Sequence, residues 1–113
     1  MTAFRAWLAV ILVTLGIYTA LVTAEHGMNL FPYFFGDMAR LGWPGQFNLD
    51  FMFMLSLSAL WVAWRHEFSG AGFALGVLAF FGGAMFLSIY LLLAARAAGG
   101  DTRVLLVGPS RAA

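Results

Sequence analysis

Few side chains here can do chemistry, so their placement carries the functional reading. An acid at the edge of an apolar run is costly to keep there and is a functional-site hypothesis by default. That singles out Asp50, which opens the run FMFMLSLSALWVAW. Helix electrostatics offer a competing explanation, because a carboxylate two residues after a capping Asn48 sits where the backbone dipole favours an anion. Glu25 closes the helically spaced series Trp7, Ile11, Thr14, Tyr18 and Leu21, and it can equally be an ordinary headgroup-level charge. Arg96 is the cation expected near Asp50, with Arg40 the alternative. Glu25, His26, Asp50, Arg96 and Arg40 therefore form the candidate binding set, suited to a proton, an ion or the polar headgroup of a lipid or quinone.

His26 and His66 invite a bis-histidine metal site, since imidazole is the commonest metal ligand. They follow successive apolar runs, which puts them on opposite membrane faces and out of reach of one ion. The chain has no cysteine, so disulfides, thiolate ligands and cysteine nucleophiles are excluded. It has no HEXXH pair, serine-nucleophile motif, phosphate loop or dinucleotide fingerprint, so no catalytic residue, metal or cofactor is assigned.

Composition fixes the class. Of 113 residues, 63% are hydrophobic and 10% charged, against about 45–50% and about 25% in soluble domains. This predicts an all-α integral membrane protein, because open sheets cannot satisfy their backbone in lipid and three apolar runs cannot close a barrel. With Lys+Arg 6 against Asp+Glu 5, no basic excess points to nucleic acid. All six basic residues are arginine, a bias that a GC-rich bacterial genome produces unaided.

One membrane domain, residues 1–113, is expected, with three spans at about 6–24, 49–66 and 71–95. The first resembles a signal peptide ending Val22-Thr23-Ala24 but is expected to stay as a span. Between spans one and two, Phe31, Phe34, Phe35, Met38 and Leu41 recur at helical spacing, with Tyr33, Asp37 and Arg40 opposite. That pattern predicts an interfacial amphipathic helix at about 30–41, capped by Asn29 and ended by Gly42, Pro44 and Gly45. The short link after Trp64 predicts that span three returns antiparallel, bringing Arg96 to the face of Glu25 and Asp50. Gly99-Gly100 ends it, and 97–113 is a tail whose Val104-Leu105-Leu106-Val107 can touch the interface.

Gly72, Gly76, Ala79 and Gly83 stack on one face of span three, and small residues let helices approach closely in lipid. The expected contact is Gly16, Ala20 and Thr23 of span one, or a second copy. Counting arginines by face gives Arg40, Arg96, Arg103 and Arg111 with the C-terminus and Arg5 and Arg65 with the N-terminus. The positive-inside rule then predicts a cytoplasmic C-terminus and an outside N-terminus.

The stretch GWPGQFNLDFMFMLSLSALWVAWRHEFS, followed by FFGGAMFLSIYLL and GGD, resembles small uncharacterised bacterial three-span proteins over about residues 42–101. The resemblance implies a bacterial inner membrane and weight on Trp43, Pro44, Asn48, Asp50, Trp64 and Arg65. It implies no activity, cofactor or partner. The expected role is non-enzymatic association, as a homo-oligomer or an accessory subunit of a larger membrane complex. The alternative is a transporter or a lipid- or quinone-binding protein that uses the one-sided polar cluster.

Overall fold

The computed structural model describes all 113 residues. Six helices follow in order: α1 (Thr2–His26), α2 (Phe31–Ala39), α3 (Trp43–Arg65), α4 (Gly70–Ala98), α5 (Thr102–Val107) and α6 (Pro109–Ala112), with no strand. α1, α3 and α4 are long and apolar enough to cross a membrane, and the all-α class holds. Only 14 residues are buried, while large side chains such as Val13, Ile17, Leu57 and Val77 point outward. Lipid tails are as apolar as leucine, so such a surface carries no penalty in a bilayer.

Helix α3 starts earlier than expected. Gly42 is its extended N-cap and Pro44 sits in its first turn, where a missing N–H costs nothing. The Gly42-Pro44-Gly45 cluster therefore opens α3 as well as following α2. Asn48 is not a cap; its Nδ2 donates to the Phe34 carbonyl at 3.1 Å and ties α2 to α3. Gly45 is buried beneath α2, and a Cβ there would meet the backbone of Asp37 and Met38. α2 thus folds back along the first turns of α3. Its N-cap is Leu30 rather than Asn29, with no side-chain cap.

The largest departure lies in α4. Its N-cap Ser69 accepts from the Gly72 amide at 3.1 Å, and its first arm packs on α3 through small residues. A Cβ on Gly76 would come within 3.2 Å of the Ala59 carbonyl oxygen, and one on Gly72 within 3.1 Å of Ala63 O. Gly72, Gly76 and Ala79 are all buried, so the small-residue face does serve packing, against α3 and not α1. Gly83 does something else. It adopts φ 57° and ψ −144°, a region essentially reserved for glycine.

The helix reverses there. Gly72 abuts His66, yet Tyr90, eighteen residues later, hydrogen-bonds the same His66 ring at 2.7 Å. A straight helix would hold Gly72 and Tyr90 about 27 Å apart. α4 is therefore a hairpin of two arms, 70–82 and 84–98, and it returns to the end of α3 from which it started. The expected antiparallel span ending beside Glu25 is corrected accordingly, because Gly82-Gly83 breaks the run midway.

α1 docks on the returning arm. Ala94, Ala95 and Leu105 form a small core with Met1, Phe4, Leu91 and Ala98 around it, and Arg5 donates to the Ala95 carbonyl at 3.3 Å. The start of α1, the end of α3, both ends of α4, and α5–α6 consequently gather at one pole of the molecule. α2 and the end of α1 mark the opposite pole.

Substituting Gly76→Leu should lower the thermal midpoint in detergent, by a stability loss of about 1–3 kcal/mol, because an added side chain must separate two packed backbones. Ala84→Leu, at an exposed position, should leave the midpoint unchanged. Equal midpoints for the two variants would contradict the packing.

Candidate functional site

The structure divides the expected polar set between the two poles. Glu25 and His26 end α1, 3.9 Å apart, with side chains 80% and 57% exposed. The His26 ring meets Tyr33 edge-on at 6.3 Å. Arg40 pairs with Asp37 at 3.4 Å, not with Asp50. Asp50 is exposed and lies two turns inside α3, so the first-turn dipole explanation is also lost with the new helix start. Arg96 lies next to Ala95 at the other pole, beside the beginning of α1. Glu25 and Asp50 therefore share no site with Arg96. The cause is the reversal at Gly83, which carries the end of α4 back across the molecule.

A polar cluster that sequence reasoning missed sits instead around Arg65, at the last residue of α3. Arg65 is 8% exposed, and an arginine cannot shed its charge by deprotonation. No carboxylate answers it: the two ion pairs in the chain are His26–Glu25 and Arg40–Asp37. Neutral oxygens do. Its Nε donates to the Leu105 carbonyl at 2.8 Å and its terminal nitrogens to Val104 O at 3.3 Å and the Tyr90 hydroxyl at 3.0 Å. Both carbonyls lie in the last turn of α5, at the negative end of its dipole; Leu105 O has no backbone donor there, while Val104 O also accepts from the Gly108 amide at 2.9 Å.

The Tyr90 hydroxyl connects this arrangement to His66. Arg65 can only donate, so Tyr90 accepts from it, and the same hydroxyl lies 2.7 Å from Nε2 of His66, the donor in that second bond depending on the His66 tautomer. A neutral His66 ring with its proton on Nδ1 accepts from Tyr90 at Nε2. Burial, followed by the Arg65 charge, holds its pKa below the ordinary value of 6.5. The Tyr90 ring also packs edge-on against Trp61 at 6.0 Å.

The C-terminal segment is strapped over this cluster by further contacts. Asp101 caps α5 by accepting from the amides of Arg103 and Val104, and Trp61 Nε1 donates to Leu106 O at 3.0 Å. Gly108 passes so close to Arg65 that a Cβ would lie 2.8 Å from its carbonyl oxygen. Ser110 donates to Glu67 at 2.9 Å, and Arg111 donates to the Trp64 carbonyl while its guanidinium stacks on that indole at 4.3 Å. The expected tail is thus two short helices, α5 and α6, docked on the end of α3. Asp101 as an N-cap and the Gly108-Pro109 break were the available signals.

Chemically the cluster is a structural latch built from donors and neutral acceptors. No group of three or more histidine, cysteine or acidic side chains that could hold a metal occurs in the chain. No family model matches this chain, and neither does any curated protein or solved structure.

Because the folded state favours neutral His66, its contribution is complete above the ordinary pKa of about 6.5 and is lost as pH falls through the lowered folded value. Wild-type thermal stability in detergent should therefore drop between neutral pH and about pH 5. His66→Gln, which still offers Tyr90 an acceptor but does not titrate there, should flatten that profile. A wild type that gains stability on acidification would contradict a neutral His66. Tyr90→Phe should cost about 1–3 kcal/mol at neutral pH, the range for leaving buried polar groups unpaired.

Proposed function

We propose that this is a non-enzymatic integral membrane protein of the bacterial inner membrane that works by association, as a homo-oligomer or as an accessory subunit of a larger membrane complex. The observation that carries the reading is the unpartnered seam of α1. Trp7, Ile11, Thr14, Tyr18, Leu21 and Glu25 recur at alternating steps of four and three residues, the heptad spacing of paired helices. Trp7, Tyr18 and Leu21 are 61%, 68% and 64% exposed. Tyr18 lies deep within its 25-residue helix, far from the headgroup level where tyrosine is favoured in a bilayer. A second helix on this seam would give the hydroxyls of Tyr18 and Thr14 hydrogen-bond partners in lipid.

In the same reading α2 lies near the interface at its pole, with Arg40 and Trp43 at the headgroups. Orientation follows from the arginines. Arg5, Arg65, Arg96, Arg103 and Arg111 collect at one pole and only Arg40 at the other, so the positive-inside rule puts both the start of α1 and the C-terminus in the cytoplasm. This replaces an outside N-terminus and keeps a cytoplasmic C-terminus. The alternative of a transport or quinone site built from Glu25, Asp50 and Arg96 loses its support, since those residues do not converge.

The absence of cysteine makes the test clean. Tyr18→Cys should form an oxidative crosslink in native membranes, either to itself or to a copurifying subunit, while Val13→Cys on another exposed face of α1 should not. A monomer by native mass spectrometry, with no crosslink at either position, would contradict association through this seam.

A further inference from the structure

We propose that the junction of α1, α4 and α5 binds the headgroup of an anionic phospholipid from the surrounding bilayer, held by Arg5, Arg96 and Arg103. The inference goes beyond association and does not depend on it. Packing of Leu105 against Ala94 and Ala95, with Met1 and Phe4 alongside, brings these three helices together. Each contributes one exposed arginine.

None of the three has a carboxylate partner. The two acids at this pole are already engaged: Asp101 accepts from the α5 amides, and Glu67 accepts from Ser110 on the α6 side. Arg5 donates one hydrogen bond, to the carbonyl of the residue preceding Arg96, which leaves most of its five donors free. A guanidinium offers a planar fork that matches two oxygens of a phosphodiester. Leu93 and Leu106, 64% and 52% exposed, lie three residues from Arg96 and Arg103 on the same faces of α4 and α5 and present apolar surface beside them. Cations bordering exposed apolar surface suit an amphiphile with a negative head, and the charge complementarity selects an anionic lipid over a zwitterionic one.

Arginines at a membrane surface contribute about fivefold each to anionic-lipid binding. Wild-type protein in micelles doped with equal phosphatidylglycerol and phosphatidylcholine should therefore retain phosphatidylglycerol preferentially in native mass spectrometry. Arg96→Gln should reduce the preference about fivefold, and the combined Arg5→Gln, Arg96→Gln and Arg103→Gln variant should abolish it. Arg40→Gln, at the opposite pole, should not alter it. Equal retention of the two lipids by the wild type, or undiminished preference in the triple variant, would overturn the proposal. Displacement of phosphatidylglycerol by millimolar inorganic phosphate would also overturn it, by showing a free-anion site.

Discussion

Burying a guanidinium that can never be neutral obliges the protein to surround it with oxygen, and Arg65 is satisfied without any carboxylate. The acceptors come from two other elements: the hydroxyl of Tyr90 on the returning arm of α4 and the terminal carbonyls of α5. One cation therefore joins three separate parts of the chain. Its neutral partners also keep the net charge of that pole positive, since no acid is consumed in matching it. Removing any partner would leave a buried charge short of acceptors, which costs more than the contact itself contributes.

The geometry that makes this possible is the turn at Gly83. Without it, Tyr90 would sit near the opposite pole and α5 would emerge beside α2. The small residues Gly72, Gly76 and Ala79 hold the first arm tightly on α3, and the second arm then has room to receive α1 at Ala94 and Ala95. Charge separation is a consequence of the same turn. Five arginines collect at one pole, while Glu25, Asp37 and Asp50 lie towards the other, and this asymmetry underlies both the orientation and the lipid reading.

The helical class and the three long apolar helices were legible in the sequence because apolar length marks the runs that can lie in lipid; the two short helices α5 and α6 were not. The Gly99-Gly100 stop and the packing role of Gly76 were legible too. Gly83 was not, because a glycine at helical spacing reads as a packing position whether it packs or turns, and only the adjacent Gly82 hinted at a break. An unbroken third span places Arg96 at the pole of Glu25 and Asp50, and the turn at Gly83 carries it to the other. Arg65 and His66 looked like headgroup-level charges because their partner, Tyr90, lies far along the chain. The carbonyls of Val104 and Leu105 carry no side-chain signature at all.

The reversal of α4 is the central claim, and a distance across it tests that claim directly. In this cysteine-free chain, spin labels at Ala71→Cys and Ala97→Cys, both exposed positions, can be measured in lipid nanodiscs by pulsed dipolar spectroscopy. A continuous helix would separate the two backbones by about 39 Å. The hairpin predicts a single distribution centred at well under that separation, and a distribution centred near the continuous-helix value would contradict it.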